Sequence, residues 1–236
     1  MTRVAIVTGG ASGIGRATVG LLRAQGVQVA ALDVQDDVRG DGPVIRCDVS
    51  DPASVDAAVA EARAALGPIG VLVNAAGIAA GGPIAGDDYV AAWERSLAVN
   101  LTGTMQLVRA CVADLTGDGA GRIVNLASTE GLVAQRGMGP YTVAKHGVVG
   151  FTKSLAVDLA RSGVTANCVC PGATLTGMTE IIPEADRATF ARRNIPVGRY
   201  ARPEEIAHMI VALTAVEASF VNGAIIPVDG GMTVQG

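Results

Sequence analysis

The sequence predicts a single α/β domain in which helices cover both faces of a parallel β-sheet. Short β-branched runs alternate with helix-spaced segments along all 236 residues. Half of the residues are apolar, only 3% are aromatic and 31 are glycine, a composition that suits close packing of helices on a parallel sheet. The chain is long enough for one full core and shows no repeat or linker, so we expect one domain spanning residues 1–236.

The first strand and helix are joined by a glycine-rich turn. Residues 4–8 form a β-branched run, and Gly9-Gly10-Ala11-Ser12-Gly13-Ile14-Gly15 leads into a helix that reaches about Gln25. Such a turn lets backbone N–H groups approach a pyrophosphate, whose charge the helix N-terminus favours. The spacing is G-x-x-x-G-x-G rather than the usual G-x-G-x-x-G, so Gly9, Gly13 and Gly15 are the candidates. A tight turn without a ligand is the alternative.

An acidic residue ends the second predicted strand. This strand covers residues 27–32, and Asp33 follows it, 20 residues after Gly13. A carboxylate there accepts hydrogen bonds from the adenosine ribose and repels a 2′-phosphate, which favours NAD over NADP. A solvated loop acid is the alternative. Residues 35–42 are too few for a full crossover helix, so we expect a reduced connection before a third strand at 43–47.

The middle of the chain predicts further elements beside the same site. Asp48, after the third strand, is placed to reach an adenine edge, and Ser50 or Asp51 with Pro52 begins a helix to about residue 65. A strand at 71–73 precedes Asn74-Ala75-Ala76-Gly77, whose small residues let the backbone pass close to a cofactor. A helix at 88–115 contains Asn100, a residue type that prefers caps and turns, so we expect it to bend this helix or hold water.

A tyrosine and a lysine four residues apart form the candidate catalytic pair. Tyr141 and Lys145 share one face of a helix predicted for residues 139–161. A neighbouring ammonium is expected to lower the pKa of the phenol, which makes the pair an acid/base unit for a carbonyl or alcohol oxygen. Ser128, at the end of a fifth strand at 121–127, is placed to hydrogen-bond the same oxygen. A solvated helix surface is the alternative for this motif alone.

The last third of the chain predicts two strands, a lid and a subunit contact. Strands are expected at 164–170 and 224–228, and a helix from Pro203 to about residue 216. Residues 173–195 are weakly periodic and are interpreted as a substrate lid. Gly147, Gly150 and Ser154 form a small-residue face that is a candidate subunit contact.

Charge and composition exclude several functional classes. The net charge of −4 and the pI of about 5.2 do not attract nucleic acid. No signal segment precedes the first strand, and no uncharged stretch reaches the ~20 apolar residues of a membrane span. Four cysteines without metal-ligand spacing, with Cys168 and Cys170 read as buried filler, and two histidines predict no metal site. A cytoplasmic location is expected.

Taken together, these motifs resemble those of the short-chain dehydrogenase/reductase family, over nearly the whole chain. The resemblance rests on the order and spacing of Thr8-Gly9-x-x-x-Gly13-x-Gly15, Asn74-Ala75-Ala76-Gly77, Asn100, Ser128, Tyr141-x-x-x-Lys145, Pro171-Gly172 and Asp229-Gly230-Gly231. It implies a Rossmann-like, doubly wound domain with seven parallel strands in the order 3-2-1-4-5-6-7. It also implies an NAD cofactor at the carboxyl ends of the strands.

The resemblance also implies roles for individual residues. Tyr141 is the expected acid/base, Ser128 orients the substrate oxygen, Lys145 binds the nicotinamide ribose and lowers the pKa of Tyr141, and Asn100 supports a proton-relay water. Thr176 is the expected carboxamide contact. The expected cofactor site comprises Gly9, Ser12, Gly13, Ile14, Gly15, Asp33, Asp48, Val49, Asn74, Ala75, Gly77, Tyr141, Lys145, Pro171, Gly172 and Thr176.

Three functions stay open on the sequence. The first is an NAD-dependent oxidoreductase that interconverts a secondary alcohol and a ketone. The family resemblance also implies a homotetramer. A 3-oxoacyl-carrier-protein reductase is the second, although Asp33 argues against its usual NADPH. The third is a non-catalytic NAD-binding regulator. Expected substrate walls are residues 79–83, 130–138 and 173–194, mostly apolar, with Glu130 facing either solvent or a polar substrate group.

Overall fold

One parallel sheet organises the protein. The computed structural model describes residues 3–35 and 44–235. The strands pair in the order β3-β2-β1-β4-β5-β6-β7, and every pair is parallel, as the resemblance implied. The strands are β1 (Val4–Thr8), β2 (Gln28–Asp33), β3 (Val44–Arg46), β4 (Val71–Asn74), β5 (Arg122–Leu126), β6 (Thr165–Pro171) and β7 (Ile225–Val228).

Helices pack on both faces of this sheet. Asp51 begins one of them by accepting the Ala53 N–H at 3.0 Å, with Pro52 in the first helical position. The helices are α1 (Gly13–Ala24), α2 (Pro52–Leu66), α3 (Tyr89–Leu97), α4 (Gly103–Leu115), α5 (Gly139–Asp158), α6 (Gly177–Glu180), α7 (Glu184–Asn194) and α8 (Pro203–Thr214). In the described residues, no helix is long and apolar enough to cross a membrane.

The alternation of side chains along β1 divides the core into two layers. Val4 and Ile6 pack in one cluster with residues of α2 and α4, whereas Ala5 and Val7 pack in the other with residues of α1 and α8. Successive side chains of a strand point to opposite faces, so a strand covered on both sides must be apolar throughout. The unbroken apolar runs in the sequence are therefore the consequence of a doubly covered sheet.

Three elements differ from their predicted bounds. The helix expected at 88–115 is divided into α3 and α4 by a π-helical turn, Ala98–Thr102, so that Asn100 does distort the helix as predicted. The predicted lid contains two helices, α6 and α7, instead of an irregular segment. The helix α5 ends at Asp158, and a 3-10 turn, Ala160–Ser162, follows it. The predicted short connection at residues 35–42 lies almost wholly outside the described residues.

The small-residue face of α5 has a contact within the chain. A Cβ atom added at Gly147 would lie 2.7 Å from the side chain of Leu101, in the π-helical turn. Gly147 therefore serves the packing of α5 on that turn, which its assignment to a subunit contact overlooked. Gly150 has open space around its Cα atom, and Ser154 is exposed, so these two positions stay candidates for such a contact.

A buried polar chain joins β4, β5 and α5 beneath the carboxyl edge of the sheet. The Asn74 side-chain amide donates to Asn125 Oδ1 at 2.8 Å, and the Asn125 amide donates to Thr152 Oγ1 at 2.9 Å. All three side chains are buried. A buried polar group that loses its hydrogen-bond partner destabilises the fold. These bonds therefore fix the position of α5 relative to the sheet.

Asn125→Ala should lower the free energy of unfolding by about 2–3 kcal/mol, because it leaves a buried amide of Asn74 and the Thr152 hydroxyl oxygen without their partner. Urea denaturation followed by circular dichroism measures the change. Gln28→Ala, at an exposed position of β2, is the matched control and should shift stability by less than about 0.5 kcal/mol. Equal stability of both variants would show that the chain contributes nothing.

Candidate active site

A cavity of about 1290 Å³ opens at the carboxyl edge of the sheet. It is larger than the roughly 300–1,000 Å³ of ordinary small-molecule pockets, so a dinucleotide and a small substrate fit together. The strand order reverses between β1 and β4, and such a switch point is where open α/β sheets bind ligands. Most of the predicted site residues line the wall: Gly9, Ser12, Gly13, Ile14, Gly15, Asp33, Asp48, Val49, Ala75, Gly77, Ser128, Tyr141, Lys145, Pro171, Gly172 and Thr176.

The glycine turn leaves no room for side chains. Gly9 has φ +67° and Gly13 has φ +51°, values that other residues rarely adopt. A Cβ atom at Gly15 would overlap the Gly9 carbonyl oxygen, and one at Gly13 would lie 3.1 Å from Thr176 Cγ2. At the three glycines, the N-terminus of α1 therefore presents backbone to the cavity. This cradle fits a pyrophosphate held by N–H groups and the helix dipole.

The acidic residue at the end of β2 lies at one end of the cavity. Asp33 is buried, with Oδ2 accepting the Ala11 N–H at 3.0 Å and Oδ1 accepting the Gln35 N–H at 3.1 Å. These bonds hold the carboxylate in a fixed orientation on the wall, so it is not a solvated loop acid. On the neighbouring wall, hydrogen bonds from Ser50 to Asp48 lower the pKa of that exposed carboxyl.

Two predicted site residues, Asn74 and Asn100, lie behind the cavity wall instead of on it. Asn74 points into the polar chain with Asn125, and the Thr8 hydroxyl accepts the N–H groups of Ala75 and Ala76, both at 3.0 Å. The side chain of Asn74 therefore supports the β4 end from below, and the backbone after it reaches the cavity. The sequence motif located the segment correctly but did not show which way its asparagine points.

Asn100 also supports the site from behind. Its side-chain oxygen accepts the Ile78 N–H at 3.0 Å, and its amide donates to the Ile78 carbonyl oxygen at 3.0 Å. A Cβ atom at Gly77 would lie 2.8 Å from Asn100 Oδ1 and 3.4 Å from Lys145 Nζ. The distorted turn thus clamps the Gly77 segment next to Lys145, and only glycine fits between them.

Tyr141, Lys145 and Ser128 converge on one part of the wall. Lys145 Nζ lies 5.6 Å from the centroid of the Tyr141 ring and donates to the Leu126 carbonyl oxygen at 2.9 Å. Ser128 comes two residues after Leu126 and lies on the same cavity wall as Tyr141, close enough to influence the phenol. The helical spacing brings the first pair together, and Ser128 reaches them from the end of β5. The three residues therefore line one part of the same cavity.

The electrostatics of the trio differ from the expectation that the ammonium lowers the pKa of the phenol. Burial raises the pKa of Tyr141 to about 12; the nearby Ser128 side chain acts to lower it, and the Glu130 charge raises it further. Burial also lowers the pKa of Lys145 to about 8. In the protein alone, desolvation therefore dominates both pKa values, and Lys145 Nζ donates to the Leu126 carbonyl oxygen.

Glu130 is buried on the cavity wall, so the alternative in which it faces solvent is wrong. Its Oε2 accepts the hydroxyl of Thr142 and, at 3.3 Å, the N–H of Gln135. Its Oε1 has no hydrogen-bond partner among the described residues. Glu130 is therefore part of the site. Its charge, in a loop without a recognisable motif, was the only feature of the sequence that pointed to it.

The substrate end of the cavity is only partly the one predicted. Residues 79–83 do not line it, and neither do Leu132, Val133 and Ile181. The predicted residues Met138, Met178, Ile182 and Phe190 do line it. Asp186, within the predicted wall 173–194, lines it too. Sequence reasoning missed Ile78, Arg95, Tyr200 and Met232, which come from distant segments without a shared motif.

The cysteine pair lies beneath the site. Cys168 and Cys170 are buried on β6, as predicted, with their Sγ atoms 4.0 Å apart. The described residues contain no group of three or more histidine, cysteine or acidic side chains able to hold a metal.

The fold and this cavity define a class: a one-sheet α/β protein with a nucleotide-sized site at its switch point. Comparison with known proteins narrows the class. A family model described as Enoyl-(Acyl carrier protein) reductase matches residues 9–233. The Sinomonas cyclohexanicum cis-4-hydroxycyclohexanecarboxylate dehydrogenase is 43% identical over 241 residues, covering 98% of this chain and 96% of that protein.

Two further matches agree. The acetoacetyl-CoA reductase of Rhizobium meliloti (strain 1021) is 37% identical over 238 residues, which cover 98% of each chain. The ligand-free structure of Thermoplasma acidophilum aldohexose dehydrogenase superposes with a TM-score of 0.94 at 31% identity, covering 100% of this chain and 95% of the other. The protein belongs to the short-chain dehydrogenase/reductase family, whose oxidoreductases use a nicotinamide cofactor.

Replacing the buried lysine should change how stability depends on pH. The ordinary pKa of 10.5 falls to about 8 in the folded protein, so between these values the unfolded chain binds more protons. Relative to Lys145→Met, the wild type should therefore gain up to about 3 kcal/mol of stability as pH rises from 8 to 10.5. Urea titrations of both proteins across this range measure the difference. Lys153→Met, on the exposed face of α5, is the control and should leave the pH dependence of stability unchanged.

Proposed function

We propose that the protein is an NAD(H)-dependent oxidoreductase that interconverts a secondary alcohol and a ketone. The observation that carries the proposal is the convergence of Tyr141, Ser128 and Lys145 on one cavity that also contains the glycine cradle and Asp33. Acid/base groups at one end and a dinucleotide-shaped channel at the other are what hydride transfer to a carbonyl carbon requires.

The residues of the channel fit a nicotinamide dinucleotide. The glycine turn and the N-terminus of α1 would hold the pyrophosphate, and the fixed carboxylate of Asp33 would accept the adenosine ribose hydroxyls. Asp48 and Val49 would flank the adenine, Ala75 and Gly77 would line the path, and Lys145 would meet the second ribose. Pro171, Gly172 and Thr176 would hold the carboxamide end. When bound, the cofactor supplies or accepts the hydride.

The NAD preference rests on Asp33. A 2′-phosphate would meet a buried, oriented carboxylate there, and like charges at close range are destabilising. On the described part of the cavity wall, the cationic side chains are Arg95 and Lys145, and neither is next to Asp33 in the chain.

Tyr141 would exchange a proton with the substrate oxygen. Ser128 Oγ accepts the Glu130 N–H at 3.1 Å, so its own hydroxyl hydrogen remains free to hydrogen-bond the substrate oxygen and stabilise developing negative charge. Because the pKa of Tyr141 is about 12 in the protein alone, the phenol is a proton donor, which suits ketone reduction. For alcohol oxidation, the charges of Lys145 and of the oxidised nicotinamide would need to lower it.

The buried Lys145 needs a path for protons. Asn100 lies against the Gly77 segment, directly beside Lys145 Nζ. We propose that this turn supports a water that links the lysine to solvent, as the family resemblance implies. The lid at 173–195, which places Met178, Ile182 and Phe190 on the wall, would close over the substrate.

The substrate end favours a compact, largely apolar molecule with a polar group. Met138, Met178, Ile182 and Phe190 provide the apolar wall, whereas Glu130, Arg95 and Asp186 provide charge. A cyclic secondary alcohol fits this mixture, and the relative at 43% identity carries the name of a hydroxycyclohexanecarboxylate dehydrogenase. We propose a cytoplasmic homotetramer as the working form.

A reductase of 3-oxoacyl thioesters is the second candidate. Similarity to an acetoacetyl-CoA reductase and the description of the matching family model favour it. Initial rates with NADH and NADPH, measured on cyclic ketones and on acetoacetyl-CoA, separate the two. A strong preference for NADPH and the thioester would support this second candidate. Tight NADH binding without turnover on a broad panel would instead support a non-catalytic NAD-binding protein.

Tyr141→Phe should reduce turnover at least about 10³-fold, because it removes the proton donor while keeping the ring. The NADH dissociation constant, measured by fluorescence titration, should change by less than about threefold, since the phenol oxygen adds little to dinucleotide affinity. Tyr200→Phe removes a hydroxyl elsewhere on the same cavity wall and should retain most activity. Retained turnover in Tyr141→Phe would refute the acid/base role.

Asp33→Ser combined with Val34→Arg should convert part of the preference from NAD to NADP. The change removes the repelling carboxylate, and Val34, which is exposed on the cavity wall, accepts a long cationic side chain. We expect the ratio of kcat/KM for NADPH over NADH to rise at least about 50-fold, equivalent to one lost repulsion and one gained ion pair. Val34→Arg alone is the control. No gain in the double variant would place the ribose contact elsewhere.

A further inference from the structure

Glu130 carries a buried carboxylate on the cavity wall to which the proposed proton transfer gives no role. It is 4% exposed, and its Oε1 lacks a hydrogen-bond partner among the described residues. Leaving a buried carboxylate oxygen unpaired is costly, and a glutamine would form the bonds of Oε2 without burying a charge. A retained charge at this position therefore calls for an explanation in the chemistry of the site.

Glu130 contacts both reacting side-chain segments. Its backbone N–H donates to Ser128 Oγ at 3.1 Å, which sets the orientation of that hydroxyl. Its Oε2 accepts the hydroxyl of Thr142, the residue next to Tyr141. The same oxygen accepts the Gln135 N–H at 3.3 Å, so it also holds the loop that leads into α5.

The turn that carries Glu130 lies directly on α5. Thr129–Gly131 is a single 3-10 turn, and a Cβ atom added at Gly131 would lie 2.9 Å from the Lys145 carbonyl oxygen. The absence of a side chain at Gly131 permits this approach. Ser128, Glu130 and the first turns of α5 therefore form one packed unit, in which a shift of the glutamate is transmitted to both hydroxyls.

We propose that Glu130 is a positioning residue of the active site, which ties the Ser128 turn to the Tyr141 segment and keeps a negative charge beside the phenol. This inference rests on the proposed function. The charge favours the protonated phenol, so it makes Tyr141 a better-populated acid for ketone reduction and a poorer base for alcohol oxidation.

Other charged and titratable groups lie near the phenol. Lys145 Nζ lies 5.6 Å from the Tyr141 ring centroid, and burial lowers the pKa of this lysine to about 8. The Glu130 charge raises the pKa of Tyr141, after the larger effect of burial. Titratable groups on the elements packed around the site include Cys168 and Cys170 on β6, Tyr89 and Arg95 on α3, and Asp186 on α7.

Two substitutions separate the effect of the Glu130 charge from the effect of its hydrogen bond with Thr142. Glu130→Gln keeps an acceptor for Thr142 and Gln135 but removes the charge. The acid limb of kcat/KM for alcohol oxidation should move to lower pH by roughly half a unit or more, because the phenol loses its proton more easily. Glu61→Gln, at an exposed position of α2, is the matched control and should leave the profile in place.

Loss of the hydrogen bond between Thr142 and Glu130 should affect the kinetics differently. Thr142→Val keeps the charge and should lower kcat about fivefold to tenfold without moving the acid limb, since one hydrogen bond to a charged group is lost. Thr142→Ser should restore the rate. Circular dichroism confirms that each variant is folded, and Thr142→Val alone tests the positioning role if Glu130→Gln does not fold.

The outcomes distinguish this inference from the proposed function. An unmoved or upward-shifted profile in Glu130→Gln, or an unchanged kcat in Thr142→Val, would overturn the role of Glu130 while the oxidoreductase assignment stands. Turnover retained in Tyr141→Phe would instead remove the proposed function itself, whatever Glu130 does.

Discussion

The hydrogen bond from Lys145 Nζ to the Leu126 carbonyl oxygen joins α5 to the end of β5, and the arrangement of the site depends on it. The bond lies at the carboxyl edge of the sheet, where Leu126 leads within two residues to Ser128. Tyr141 is one helical turn before Lys145, so the same anchor places the phenol beside the serine. Below it, the Asn74–Asn125–Thr152 chain fixes the height of α5 on the sheet.

Two halves of the cavity are built by different means. The half around the glycine turn is formed largely by backbone, with Gly9, Gly13 and Gly15 admitting close approach and Asp33 adding one oriented side chain. The substrate half is formed by side chains from α6, α7 and the loops around them. This division is consistent with relatives that share the fold at 31–43% identity while their names indicate different substrates.

Burial dominates the electrostatics of the reacting groups. It raises the pKa of Tyr141 and lowers that of Lys145, which disfavours the charged form of each. Glu130 adds a negative charge that reinforces the first effect. The protein alone thus presents a neutral phenol, and cationic partners at the site are needed to make it a base.

The sheet, the helices on its two faces and the segments that meet at the site could be predicted from the sequence alone. Local signals sufficed there: period and glycine placement specify each βα unit, and the i, i+4 spacing brings Tyr141 to Lys145 because a helix fixes that geometry. The orientation of the side chains and their burial from solvent became known only from the tertiary structure. Asn74 turns inward, Glu130 is buried, and the pKa of Tyr141 rises, because burial arises from segments far apart in the chain. Arg95 and Tyr200 reach the cavity for the same reason, and no local pattern in the sequence indicates it.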